Sequence, residues 1–385
     1  MTLRMEQLLP QLPGVVAAYA AGLESMKDGL KAADSVLSLW SADRLDCDAR
    51  IRAAMAGSSQ PYAVSLREPP GDVMPLPPFA AVTVVSSDGS SIEPDRFAPV
   101  QCYVVNAGFA VLPYGTGQEA ALGARCIVGP PAPEAEGEED EGAEDAGPRA
   151  WGVNLLRDVV EMETGSGLAV ASAAASPTVL LLDGTLLPWD LDSRQVAEST
   201  RQELVGRTRE ALDHLSGCGG SLSVGAYVSG SRSSDVVNSL RALAAAGSRG
   251  WPASDGHLFA TRLRDGERSA VFRAASERVR RVEEFFEGQH EVCFFYLRIG
   301  DDVARVELPR WATTPGQVER LHTTLVDQCR RCDGYPRALQ EAHEQAVISA
   351  GDRQAFSRML DAEALRHGLR ASANSKQMSK RRRGL

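Results

Sequence analysis

Residues 79–90 read FAAVTVVSSDGS. The apolar, β-branched run Phe79–Val85 predicts a strand, and Ser86-Ser87-Asp88-Gly89-Ser90 reads as the turn that ends it. Gln101–Val105 and Phe109–Leu112 are two further apolar runs. Asn106-Ala107-Gly108 between them predicts a three-residue hairpin loop, with glycine supplying the positive φ. Trp151–Glu163 has helical spacing, and Thr178–Leu182 (TVLLL) predicts a buried strand running into Asp183-Gly184-Thr185. A charged helix over Ser193–Leu215, a strand over Leu222–Val228 and a helix over Ser234–Ala246 follow.

The order is therefore strand, strand, strand, helix, strand, helix, strand. Three antiparallel strands followed by alternating helices and strands predict an α/β fold, a ribonuclease H-like mixed β-sheet flanked by helices. Upstream, Leu8, Leu12, Val15, Val16, Tyr19 and Leu23, then Leu30, Val36 and Leu37, recur at helical spacing, so residues 1–55 predict a helical N-terminal region. Pro, Gly and Ser between Ser58 and Pro78 mark a linker. Downstream, Val292–Ile299 and Val303–Leu308 predict a hairpin, and Gln317–Arg330, Pro336–Ala350 and Arg353–Arg366 predict C-terminal helices. The division expected is a helical region and linker at 1–75, one domain at 76–366 and a basic tail at 367–385.

The chain of 385 residues carries a formal net charge of −10, which on its face disfavours a nucleic-acid partner. The charge is unevenly placed. Residues 134–145 (EAEGEEDEGAED) hold eight acids and no base, which predicts a disordered acidic loop over about 130–148. Residues 230–281 hold ten Arg against five acids, and 364–385 hold seven Lys or Arg and no acid. The longest uncharged stretch, Thr164–Leu182, is broken by Gly165, Gly167 and Pro177, so no membrane span is expected. The seven cysteines are scattered and odd in number, which suits a reducing, cytoplasmic setting.

Asp88 and Asp183 each fall where a strand is expected to end, each before a glycine. One Asp-Gly is usually a turn. Two at matched strand ends suggest a carboxylate pair held by a hard cation such as Mg²⁺ or Mn²⁺. A third carboxylate is expected from the intervening helix, where Glu161 and Glu163 both qualify. His343 shares a helical stripe with Leu339, Ala342, Ala346 and Val347, as a half-buried core histidine or as a ligand or general acid. There is no GxxxxGK[ST] for a P-loop, and Cys329-Arg330-Arg331-Cys332 is a single CxxC, too little for zinc.

The chain resembles the NurA nuclease family. The resemblance is carried by Asp88-Gly89-Ser90 with Pro94-Asp95-Arg96, Tyr103–Gly108, Leu182–Leu186 with Trp189, and Tyr227–Ser233. Gly266–Phe272, Phe295–Arg298 with Ala304–Pro309, and Gly334-Tyr335-Pro336 leading to Glu341-Ala342-His343 complete it. Thr185 stands where Ser is usual, and Ser86-Ser87 precede Asp88 where an apolar residue is commoner. The resemblance implies a Mn²⁺-dependent deoxyribonuclease, with Mg²⁺ the other metal considered. It implies single-strand endonuclease and 5′-3′ exonuclease action on DNA ends in double-strand break repair. A homodimer working with a HerA-type hexameric ATPase is also implied. By motif position, Asp88, Glu161 and Asp183 match the metal-binding acids, and Tyr335 and His343 match the C-terminal pair, with His343 as a second-metal ligand or proton-transfer group. Arg232, in the turn before the helix at 234, is a further DNA-backbone contact to consider. Two other readings accompany this one: a HerA-binding adaptor without useful catalysis, and another ribonuclease H-like nuclease acting on RNA or branched DNA.

Overall fold

The computed structural model describes residues 4–95, 98, 100–130, 149–193, 196–244, 251 and 253–369. The acidic run 134–145, Arg96 and the tail from residue 370 onward lie outside the described residues. Contacts divide the chain into two compact units, Met1–Pro78 with Tyr227–Thr313, and Phe79–Ala226 with Thr314–Leu385.

The first unit begins with helices α1 (Met5–Leu8), α2 (Leu12–Ala42) and α3 (Arg44–Met55), then strands β1 (Tyr62–Ser65) and β2 (Val73–Met74). The second unit supplies β3 (Val82–Ile92), β4 (Tyr103–Tyr114), β5 (Ala121–Gly129), α4 (Arg149–Ala173), β6 (Thr178–Asp183), α5 (Glu198–Gly217) and β7 (Leu222–Val228). The chain returns to the first unit with α6 (Asp235–Leu243), α7 (Asp255–Arg262), β8 (Arg268–Ser269), β9 (Phe272–Ala275), α8 (Glu277–Phe285), β10 (Val292–Ile299) and β11 (Asp302–Pro309). It closes in the second unit with α9 (Pro315–Arg330), α10 (Arg337–Ala346) and α11 (Ala350–Arg366).

In the first unit β1 pairs antiparallel with β9, β9 with β10, and β10 with β11. Trp40, Phe259, Phe272, Phe294 and Tyr296 pack against one another through its core, Phe259 on Tyr296 and Phe272 on Phe294 in stacked pairs. The N-terminal half of α2 does not join it: Leu12, Val15, Val16 and Tyr19 are exposed, whereas Ala33, Leu37 and Trp40 are buried. The segment expected to be a linker after Ser58 contains β1 and β2. Their partners lie some 200 residues away in sequence, a pairing that a linear division at residue 75 does not carry. Several arginines of the basic stretch 230–281 are spent on ion pairs, Arg262 with Asp34, Arg268 with Glu68, Arg273 with Glu283 and Glu291, and Arg280 with Glu277 and Glu284.

In the second unit the strand order is β5-β4-β3-β6-β7. β3, β4 and β5 are antiparallel neighbours, and β6 runs parallel to β3. This is the expected ribonuclease H-like mixed sheet with helices on both faces. Alternation along β3 explains its serines. Ser86 and Ser90 donate from one face to the carbonyls of Ala338 and Ala346 on α10. On the opposite face, Ser87 donates to the Glu161 carbonyl on α4 at 3.0 Å. Hydroxyls thus replace apolar side chains where two helices lie close to the sheet, and each finds an acceptor.

Two expected turns are strand interior. β3 continues through Asp88-Gly89, with Asp88 opposite Gly108 in the β4 register. Asn106-Ala107-Gly108 lies within β4 and pairs with Ala124, Arg125 and Cys126 of β5, a strand the sequence reading did not assign. The cause is the seat of α10. A Cβ on Gly108 would lie 2.3 Å from Ala342 O and Ala346 N, and Asn106 Nδ2 donates to Ala346 O at 2.8 Å. On the other face Val105 and Ala107 pack against Val153 and Val160 of α4.

Candidate active site

The parallel register of β3 and β6 pairs Ser87 with Leu182. One residue on, Asp88 and Asp183 therefore stand abreast near the carboxyl end of β6. Gly184, with φ +81°, makes the left-handed turn that ends β6 directly after Asp183. α4 delivers Glu161. Its close approach uses Gly165, where a Cβ would meet Ser87 Oγ at 2.5 Å. Glu163 points elsewhere, into a paired hydrogen bond with Arg207 of α5 at 2.7 and 3.0 Å and toward Arg125 at 3.6 Å. Of the two helix acids, it is Glu161 that the structure brings to Asp88 and Asp183.

The acids influence one another. Burial pushes Glu161 well above the usual carboxylate range, Asp88 and Asp158 push the same way, Arg157 opposes, and Asp183 adds to the rise. Asp183 reaches solvent at its outer edge, yet desolvation of its inner side raises it and Asp88 adds to that, against the hydrogen bond from Tyr335. Such mutual repulsion is what a cation relieves.

Two residues from the α9–α10 region hold the aspartates. Gly334, at φ +96°, turns the chain between the helices, and Tyr335 donates its hydroxyl to Asp183 Oδ1 at 2.9 Å. Burial and the Asp183 charge push the Tyr335 phenol up, so it remains a donor. His343 Nδ1 lies 2.6 Å from Asp88 Oδ2 with 66% of its side chain exposed. His343 is therefore not a core residue: α10 ends at Ala346, buried Leu339, Ala342 and Ala346 form the packed stripe, and Val347 is exposed.

Two members of this constellation were not singled out from sequence, Arg157 and Asp158. Arg157 Nη2 donates to Asp158 Oδ1 at 2.8 Å. Both lie one turn before Glu161 on α4, an i, i+4 and i, i+3 spacing that places them on its face. A cavity of about 230 Å³ opens beside Glu161 and Asp183, walled by Met162, Leu182, Leu186 and Pro188. Arg232, on the first unit, is exposed.

The donor set consists of hard carboxylate oxygens with one imidazole, the chemistry that Mg²⁺ and Mn²⁺ prefer. Among the described residues, however, no three His, Cys, Asp or Glu side chains are drawn together closely enough to enclose an ion. The set is open, with Asp88 turned to His343, Asp183 to Tyr335 and Glu161 toward Arg157. It fits a metal by donor type and by repulsion rather than as a closed cage.

The family model described as the NurA domain matches residues 82–348. The chain belongs to the NurA family. The matched span contains every residue of the candidate site described above, from Asp88 to His343. A crystal structure of the NurA nuclease from Sulfolobus solfataricus superposes with a TM-score of 0.54 at 14% identity, covering 95% of this chain and 98% of that one. At that identity the likeness shows the shared fold. A search of curated proteins found no match. No helix among the described residues is long and apolar enough to cross a membrane.

Proposed function

We propose that this chain is a divalent-metal-dependent deoxyribonuclease acting on single-stranded DNA and duplex ends. The observation that carries the reading is the convergence of Asp88, Glu161 and Asp183 from adjacent parallel strands and one helix, with each pair in mutual repulsion. Membership of the NurA family supports the reaction class. Mn²⁺ is the metal proposed, with Mg²⁺ as the other. Family resemblance likewise supports a cytoplasmic homodimer that processes DNA ends in break repair with a HerA-type ATPase, which co-purification tests.

Asp88, Glu161 and Asp183 would hold the metal. When bound, such a cation lowers the pKa of an attacking water and neutralises charge on the phosphate oxygens. The protein's own groups do the rest. Tyr335 fixes one oxygen of Asp183 through its donated proton. Asp88 orients the exposed His343 ring through Nδ1, leaving the opposite edge, Nε2, to exchange a proton with substrate.

Cleavage of linear single-stranded and duplex DNA in Mn²⁺ by wild type and Asp183→Ala tests this. The substitution is expected to cost more than the ~10–100-fold typical of losing a supporting partner. Wild-type rates in the variant overturn the assignment.

A further inference from the structure

Arg157 has no part in the chemistry above, yet it sits inside the acidic set. Its Nε and Nη2 donate to Asp158 Oδ1 at 3.2 and 2.8 Å. Its charge favours ionised Glu161, while Asp158, Glu161 and Asp88 hold it cationic against its own desolvation. Its stem crosses the bare backbone of Gly89, where a Cβ would lie 2.6 Å from Arg157 Cγ and 3.2 Å from Glu161 Oε2. The missing side chain immediately after Asp88 thus makes room for Arg157 and Glu161 together.

Two features leave the guanidinium room to move. A third of the side chain is exposed, at 33%. Glu93, which also feels the Arg157 charge, keeps a buried carboxylate oxygen, Oε2, with no hydrogen-bond partner. A second acidic berth therefore lies within its electrostatic reach.

We propose that Arg157 is the resident counter-ion of the site: it balances the acids until a divalent cation binds, and the displaced guanidinium then engages a DNA phosphate. The proposal rests on the metal-nuclease reading above. An arginine does not shed its proton, so its charge can leave only by movement of the side chain. Its planar fork suits a phosphate once the carboxylates are occupied.

Calorimetric titration of Mn²⁺ alone into wild type, Arg157→Gln and Arg157→Lys tests it, together with steady-state cleavage of a single-stranded oligonucleotide. Removing one positive charge from the acids is expected to tighten Mn²⁺ about tenfold in Arg157→Gln. KM for DNA is expected to rise about tenfold with the loss of a phosphate contact, and Arg157→Lys to fall between. A residue that merely supported the fold would weaken metal binding when lost, so the sign of the change discriminates. Thermal unfolding verifies that the variants are folded. If folded Arg157→Gln binds Mn²⁺ no more tightly than wild type, the counter-ion role is overturned. If wild type binds no Mn²⁺, the nuclease reading itself fails.

Discussion

Replacing Gly108 by alanine puts a methyl group where α10 already lies. The built Cβ is 2.3 Å from Ala342 O and Ala346 N and 2.7 Å from Gln345 C. All three are backbone atoms, which cannot rotate aside as a flexible side-chain end could. Restoring ordinary contact requires the helix or the strand to give by roughly 1 Å, at the ~1–3 kcal/mol typical of an overpacked site. A folding unit the size of the second, Phe79–Ala226 with Thr314–Leu385, loses roughly 2–4 °C of Tm per kcal/mol. The displaced segment carries His343, next in sequence to Ala342, and its 2.6 Å contact with Asp88. A misplacement of about 1 Å at a reacting group costs on the order of 10²-fold in rate. Gly108→Ala should therefore melt several degrees early and cleave DNA about a hundredfold more slowly. Gly167→Ala is the control, since an added Cβ there meets nothing within 4 Å and alanine is the better helix former. The assay is thermal unfolding beside cleavage of an end-labelled oligonucleotide in Mn²⁺. Wild-type melting and wild-type cleavage in Gly108→Ala would refute both the close seating of α10 and its role in placing His343.

Tyr335→Phe removes the 2.9 Å bond to Asp183 and should lower kcat about tenfold with KM nearly unchanged; an unaltered kcat removes Tyr335 from the site. Asp255, buried in the first unit, accepts from Val236 N, Val237 N and the Tyr296 hydroxyl. Burial and then Asp235 push it up to about 7, above an unfolded value near ~4. Its neutral form is the stabilising one, so its contribution to stability is full below about pH 4 and is lost as pH rises toward 7. Asp255→Asn should flatten that decline in a melting series, and an identical pH slope in the variant would contradict the assignment. Cys293 is buried and its thiol is pushed up to about 12, whereas Cys126 is exposed. Alkylation of the native protein should label Cys126 well before Cys293, and equal labelling rates would show that the first unit's core opens readily.

Where a local property decides an element, the amino-acid sequence was enough. The run TVLLL before Asp183-Gly184 determined a buried strand and its end. The order of apolar runs and helical stretches pointed to the ribonuclease H-like sheet, although its second and third expected strands are both parts of β4 and the true third strand, β5, was not among them. Asp88 and Asp183 stood at expected strand ends, and it is the parallel pairing of β3 with β6 that puts them abreast. Where a partner lies far along the chain, only the tertiary structure decided. Asp88-Gly89 and Asn106-Ala107-Gly108 carry turn residues, yet both are strand interior. Their polar and side-chain-free positions serve α10 and α4, which come about 240 and about 70 residues later in the chain. The choice of Glu161 over Glu163 depended on the rotation of α4, set by Gly165 against Ser87 and by Arg207 drawing Glu163 aside. His343 shared an apolar stripe by spacing, but the side chains α10 buries are Leu339, Ala342 and Ala346, and His343 lies at the surface beside Asp88. Spacing along one helix reports only which residues share a face. What that face meets is decided by side chains from the rest of the fold.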